Sequence, residues 1–382
     1  MSLKFGEHII FMMKLNRELR KETEMLKGRC RLPLFLCVLL LTCLLFAPVA
    51  VVVAVSIDDP YVSDQWGWFR VKADQAYDTG YHGEGVIVAL LDTGVDTAHP
   101  DLAANIIGGW NFVDDNDNIT DLDGHGTMVC GVVAAVANNG IGVAGVAPNV
   151  TIMPLKVLSE SGGTLFDVSL AITYAANHGA NVIGMSLGGN SSRIPMALES
   201  AINSAYQKGC VLVAAAGNDG SNELFYPAAY DNVIAVSAID ENNTKASFSN
   251  YGDYIDFCAP GVNILTTWTN GTYAYGSGTS FSAPFVTGVV ALMLSKYPSL
   301  APENVTATLR AEAVDLGDAG WDQFYGWGLV DAYAAVTQPA IPEVSTAVFL
   351  ITVTSTTLLI PVLNKIREPR KTKEHDNPAI RP

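Results

Sequence analysis

A chain of 382 residues with 49% hydrophobic residues and 34 glycines is long enough to bury a large core and too apolar to be a disordered polypeptide. The formal net charge is −16, and residues 57–338 alone carry 30 acidic against 8 basic residues, a net of −22. Such a surface repels a phosphate backbone and excludes nucleic acid as a partner, whereas it favours cations and solubility.

In chain order, the first element is an apolar run, LPLFLCVLLLTCLLFAPVAVVVAV (32–55), preceded by Lys27, Arg29 and Arg31. It exceeds the roughly 20 residues that a bilayer crossing takes. Ala54 and Ser56 offer small residues for cleavage after Ser56. Residues 1–56 are therefore expected to form a signal peptide or signal anchor; initiation at Met25 would give it a leader of ordinary length. GVIVALLD (85–92) is a continuous apolar run of strand length, as expected for a strand buried on both faces. ANVIGMSL (180–187), VLVAAAG (211–217) and VIAVSAI (233–239) read the same way. Helical patterns lie between them: GTMVCGVVAAVAN (126–138), TLFDVSLAITYAANHG (164–179) and RIPMALESAINSAYQKG (193–209), the last two closing on Gly. This alternation predicts an α/β fold, a mostly parallel sheet with helices on both faces, in one domain over 57–338. Residues 339–343 form a linker. A second transmembrane-type run, VSTAVFLITVTSTTLLIPVL (344–363), precedes a basic tail (364–382) with Lys365, Arg367, Arg370, Lys371 and Lys373, which marks the cytoplasmic side. Both ends place the acidic middle outside the cell, held in the membrane or released after terminal processing. Three cysteines, Cys130, Cys210 and Cys258, fall in that middle region; an odd number allows one disulfide at most, with Cys210 and Cys258 as the candidate pair.

Four residues carry candidate chemistry. Asp92 stands where the first buried strand enters a Thr93-Gly94 turn, at the carboxyl edge where functional groups of parallel sheets gather. A carboxylate there can orient an imidazole, although a turn Asp would look the same in sequence. His125 lies between glycines in DGHGTMVCG, at the start of a helical pattern. Ser280, in GSGTSFSAPF, precedes a long apolar helix. At a helix N-terminus its hydroxyl sees backbone N–H groups that favour an oxyanion, or it simply caps the helix. Asn218 ends VLVAAAGN and offers an amide as a further oxyanion donor. His99 and His178 have no nucleophile context and are read as ordinary satisfied residues.

Together, the segments LLDTGVDTAHPDL, GHGTMVCG, MSLGG, AAAGN and GTSFSAP resemble the signature blocks of subtilisin-like serine proteases, in the chain order Asp, His, Ser. The resemblance runs over about residues 58–336. GGWNFVDDNDN (108–118) and ITYAANHGANVI (172–183) bring it nearest to the thermitase branch. It implies a three-layer subtilisin-like fold and a serine endopeptidase acting on polypeptides, with Asp92, His125 and Ser280 as the triad and Asn218 in the oxyanion hole. Substrate would add as a strand beside Ser186, Leu187 and Gly188, with Leu165, Val168 and Leu187 walling an apolar pocket. Phe225 matches the floor of the pocket for the residue preceding the cut bond, where relatives usually carry something smaller. A shallow pocket is expected, unless the ring points elsewhere. Calcium is the implied cofactor, held by Asp101 and Asn139 side chains, carbonyls of Ala137, Ile141 and Val143, and Asp59. Asp114, Asn116 and Asp117 form either a second, weaker ion site or a solvated acidic loop. A monomer is expected. The alternative is an inactive, surface-displayed binding module on the same fold.

Three features depart from the family pattern. No segment of propeptide size fits between the first apolar run and the protease region. Met128 replaces a second His after H-G-T, and Phe285 replaces a His or similar residue after the Ser motif. At both positions altered packing is expected rather than lost activity.

Overall fold

A computed structural model describes residues 57–190 and 196–338. The terminal segments read as membrane signals, 1–56 and 344–363, lie outside the described residues, as do the linker and the basic tail.

The elements follow in chain order. Two short helices, α1 (Trp66–Arg70) and α2 (Ala73–Tyr77), precede strand β1 (Ile87–Asp92). Then come β2 (Trp110–Asn111), α3 (His125–Ala134), β3 (Thr151–Lys156), and a small hairpin of β4 (Leu158–Ser159) and β5 (Gly162–Gly163). Helix α4 (Leu165–Asn177), β6 (Val182–Met185), α5 (Met196–Gln207), β7 (Val211–Ala215), β8 (Val233–Ile239) and β9 (Phe257–Pro260) continue the α/β alternation. A second hairpin, β10 (Ile264–Trp268) and β11 (Thr272–Gly276), leads into α6 (Thr279–Lys296), α7 (Pro302–Glu312) and α8 (Ala332–Thr337).

Seven strands form one sheet in the order β2-β3-β1-β6-β7-β8-β9, every pair parallel. Its core is split between the two faces. Along β1, Val88 and Leu90 belong to the cluster under α3 and α6, whereas Ala89 and Leu91 belong to the cluster under α4 and α5. Successive strand side chains point to opposite faces, so a sheet covered on both sides needs apolar residues at every position. That is why GVIVALLD carries no polar alternation. Helix α6 is the one described helix long and apolar enough to cross a membrane, and 83% of it is buried inside the domain. It is the core helix of the sheet.

Three strands of the sheet, β2, β3 and β9, and the four hairpin strands went unforeseen. TIMPLK became β3 although Pro154 cannot donate to a ladder; its neighbour β2 pairs with it at two residues only, so the missing N–H costs little. FCAP became β9, a short strand at the sheet's edge.

The expected pairing of Cys210 with Cys258 is corrected: Cys130, Cys210 and Cys258 are all free and buried. Cys210 precedes β7 and Cys258 lies in β9, with β8 between them. Two strand spacings amount to about 10 Å, beyond the roughly 7 Å that a disulfide spans between Cα atoms. The two thiols also face opposite halves of the core.

Candidate functional site

The carboxyl edge of the sheet gathers most of the candidate residues. Asp92 is the last residue of β1, Ser186 follows β6 directly, and Asn218 lies three residues beyond β7. Asp92 is 2% exposed. Its Oδ1 accepts from His125 Nδ1 at 2.7 Å and from the Thr93 amide at 2.7 Å, while its buried Oδ2 has no partner.

His125 opens α3. Gly124 caps the helix with φ 100°, a left-handed conformation that suits glycine. Gly126 permits a close approach to β1, since a Cβ there would stand 2.1 Å from the Gly94 carbonyl oxygen. The approach is fixed by Asp121, a residue that the sequence did not single out. Its buried carboxylate accepts from Thr93 Oγ1 (2.8 Å), the amides of Asp123 (3.2 Å), Gly124 (2.8 Å) and Thr127 (2.8 Å), and Thr127 Oγ1 (2.7 Å). Burial alone would raise its ionisation; these bonds outweigh it and hold the carboxyl below its ordinary range. One clamp therefore ties the end of β1 to the start of the His125 helix. An acid just ahead of a helix start is the signal that could have found it.

Burial works to lower the ionisation of His125, but the Asp92 charge and hydrogen bond, with Asp123 and Asp121 behind them, push it up from 6.5 to about 9. The side chain keeps 27% of its surface in solvent, where water screens part of that attraction and tempers the upward shift.

Ser280 occupies the first turn of α6 and is half-buried. Pro284, four residues on, has no N–H, so the Ser280 carbonyl lacks its helical donor. The Ser186 hydroxyl fills that role at 2.8 Å, and in return Ser280 Oγ donates to the Ser186 carbonyl at 3.1 Å. The hydroxyl of Ser280 thus faces Ser186 rather than His125 in this structure.

Asn218 accepts through Oδ1 from the Thr279 amide (2.8 Å) and Thr279 Oγ1 (3.0 Å). A backbone N–H can only donate, so the carboxamide orientation is fixed. A Cβ placed on Gly278 would stand 3.4 Å from Asn218 Nδ2 and 3.7 Å from the Ser280 amide nitrogen, so two donors border one space.

A cleft of about 650 Å³ runs from His125 past Leu165, Val168, Ser186, Leu187 and Gly188. Phe225 packs against Gly188, which lines the cleft, its ring within 2.4 Å of where a Cβ on Gly188 would be and 2.9 Å of one on Gly217. The ring occupies the space between the two glycines. Of the departures from the family pattern, Met128 is buried, and Phe285 is buried with its ring tip within 2.8 Å of where a Cβ on Gly67 would be. His99 has both ring nitrogens engaged, with Thr272 and Asp101, and His178 bonds and stacks on Tyr174.

A second, separate constellation lies in the loop after α3. Asp59 accepts from the amides of Asn138 (2.7 Å), Asn139 (3.0 Å) and Gly140 (3.2 Å). Asp101 accepts from the Val143 amide (3.0 Å), Asn139 Nδ2 (2.8 Å) and the Tyr273 hydroxyl (3.3 Å). Both carboxyls are buried, and among the described residues neither pairs with a Lys or Arg. Burial pushes both ionisations up, and the Asp59 charge adds to that at Asp101. The carbonyls of Ala137, Ile141 and Val143 accept no protein hydrogen bond among the described residues. Uncommitted oxygens around two buried carboxylates fit a hard cation. Asp114 and Asn116 are instead engaged locally: Asp114 accepts from Asn111 Nδ2 (3.1 Å), and Asn116 accepts from the Asn118 amide (2.8 Å). Asp117 is exposed.

Comparison with known proteins places these features in context. Residues 83–328 match the family model described as the subtilase family. The chain is 44% identical over 281 residues to thermitase of Thermoactinomyces vulgaris, covering 73% of this chain and 98% of that protein. It is 46% identical over 271 residues to subtilisin Savinase of Lederbergia lenta, covering 71% of this chain and 97% of that protein. A solved structure of a protease from Pseudoalteromonas arctica aligns with a TM-score of 0.68 at 34% identity, covering 74% of this chain and 99% of the other.

Proposed function

The chain belongs to the subtilase family and is a subtilisin-like serine endopeptidase; from that premise we propose that Asp92, His125 and Ser280 form its catalytic triad, in an exported domain. The observation that carries the reading is the 2.7 Å bond between Asp92 and His125 at the mouth of the cleft.

Asp92 holds the Nδ1–H tautomer, leaving Nε2 to accept a proton. The Ser280 hydroxyl turns about its Cα–Cβ bond from the Ser186 carbonyl to His125 Nε2 and, giving up its proton there, attacks the substrate carbonyl carbon. The oxyanion lies between Asn218 Nδ2 and the Ser280 amide. His125 passes the proton to the leaving amine. Water then repeats the sequence and frees the acyl group. Ser186, Leu187 and Gly188 pair with the extended substrate. Labelling of Ser280 by a fluorophosphonate probe, located by peptide mapping, tests the assignment; an unlabelled Ser280 in an active preparation overturns it.

His125 must be neutral to act as base. Activity is therefore expected to rise with pH, with an acid limb in kcat/KM whose midpoint lies above 6.5 and toward about 9. A midpoint below 6.5 in the kcat/KM profile would contradict the balance of charges described.

Phe225 floors the pocket for the residue preceding the cut bond and limits it to small or medium side chains. Phe225→Ala is expected to raise kcat/KM for aromatic relative to alanyl substrates on the order of tenfold to a hundredfold. Peptide substrates varied at that one position read this directly, and an unchanged ratio removes Phe225 from the pocket.

Asp59, Asp101, Asn139 and the carbonyls of Ala137, Ile141 and Val143 would hold calcium. The ion would neutralise the two buried carboxylates and tie the N-terminal segment to the loop after α3. Chelation is expected to lower the melting temperature by about 5–10 °C, the shift for an ion bound well above its dissociation constant. Calorimetry with and without chelator decides; equal melting temperatures sink the assignment. Asp114, Asn116 and Asp117 form either a weaker second site or a solvated acidic loop, and the local hydrogen bonds of Asp114 and Asn116 favour the loop. The apolar runs 32–55 and 344–363 support export and membrane attachment of this acidic domain.

A further inference from the structure

Phe281 directly follows Ser280 and is 5% exposed. Its ring meets the His125 imidazole edge-on, with centroids 5.9 Å apart and planes at 61°. On its other side the ring fills space that a side chain at position 276 would need, since a Cβ on Gly276 would stand 2.2 Å from Phe281 Cζ. Gly276 ends β11. Its hairpin partner β10 ends on Trp268, whose indole fills the corresponding space over Gly124, within 2.5 Å of where a Cβ would be. The hairpin thus backs His125 from two directions, through Trp268 beneath its helix cap and through Gly276 beneath Phe281.

We propose that Phe281, seated on Gly276, is a positioning residue that holds the His125 imidazole in its working orientation and keeps water from one side of it. The proposal rests on the triad reading above. The side-chain hydrogen bond of the imidazole is at Nδ1, to Asp92, and Ser280 Oγ is turned to Ser186, so no hydrogen bond restrains Nε2 among the described residues. A ring held at one nitrogen still swings about that bond. Edge-to-face packing supplies the second restraint without consuming the nitrogen that must accept a proton. An imidazole displaced by even a fraction of an ångström meets the nucleophile badly.

The charges acting on His125 are those of Asp92 on β1 and of Asp121 and Asp123 in the preceding loop; Lys156, beside Asp92 in the strand register, has its Nζ held by the Thr120 carbonyl. The hairpin β10–β11 and the first turns of α6 bring no charged side chain. Loosening Phe281 therefore changes the solvation of the imidazole and leaves its charged neighbours in place. Burial is the largest influence on that ring and acts downward, so its relief moves the acid limb to higher pH.

The test compares the full chain with Phe281→Ala, Phe281→Leu, Gly276→Ala and the Gly276→Ala/Phe281→Ala double variant. Phe281→Ala is expected to lower kcat about tenfold while KM stays within about twofold, and to raise the acid-limb midpoint. Gly276→Ala, whose methyl must displace the ring, should do the same. In the double variant the added methyl meets no ring and should cost nothing more. Phe281→Leu keeps apolar bulk and should restore part of the turnover and most of the midpoint, which keeps the proposal testable if the Ala variant folds badly. Unchanged kcat and midpoint in Phe281→Ala overturn the proposal, as does additivity of the two single substitutions. If the wild type labels at Ser280 and the variants behave like it, only this inference fails. An active wild type whose Ser280 takes no label overturns the triad and this inference together.

Discussion

Ser280→Ala is expected to abolish proteolysis, lowering kcat by about 10⁶-fold, the loss known for subtilisin itself when its nucleophile is removed. The substitution removes one hydroxyl, half-buried and, among the described residues, bonded to the Ser186 carbonyl alone. A hydrogen bond of that kind contributes about 1 kcal/mol, so the melting temperature should hardly move. Asn218, the amide of residue 280 and the cleft all remain. Substrate should still bind, and a residual rate about 10³–10⁴ above water should persist. The loss therefore belongs in kcat, with KM nearly constant, and labelling by fluorophosphonate should vanish with it. Turnover of a peptide substrate at the wild-type rate in the purified variant would remove Ser280 from the chemistry.

Asp92→Asn should cost about 10⁴-fold in kcat, the loss found when the acid of another serine-protease triad is made an amide. Two donors converge on Asp92 Oδ1, His125 Nδ1 and the Thr93 amide. An Asn that keeps its oxygen there must place its NH₂ where the buried Oδ2 now has no partner, and it brings no charge to stabilise the imidazolium. An Asn that turns the other way aims a donor at two donors or forces the wrong tautomer on His125. In the first case, the upward pull of Asp92 is gone while burial still acts downward, so the acid limb of the residual activity should move to lower pH. A residual pH profile like the wild type's, with little loss of rate, would mean that Asp92 does not govern His125.

Much of this was legible before any coordinates. Strands buried on both faces announce themselves as unbroken apolar runs, and β1, β6, β7 and β8 all did. Asp92, His125, Asn218 and Ser280 each sit in a short block whose glycines mark a close backbone approach. What escaped depends on the third dimension. Asp121 is one of several acids in an acidic loop, and only its burial and five donors single it out. β3 hid behind Pro154 and Lys156, residues that argue against a central strand until its neighbour proves to be two residues long. Cysteine spacing said nothing of the strand that separates Cys210 from Cys258. The ring of Phe225 could be numbered but not aimed.

The two-faced burial of the sheet has a consequence for a molecule that cuts chains of its own kind. On the proposed reading, a peptide bond is drawn out straight along Ser186, Leu187 and Gly188 before it is broken, and β1, β6 and β7, inside the sheet, have no free edge or face to surrender. Exposed stretches include the connection 222–224 and the β4–β5 hairpin at 160–163. Self-digestion is therefore expected to begin by nicking such tethers while the core beneath still holds together, so that the loops set the working lifetime of the protein in a concentrated solution.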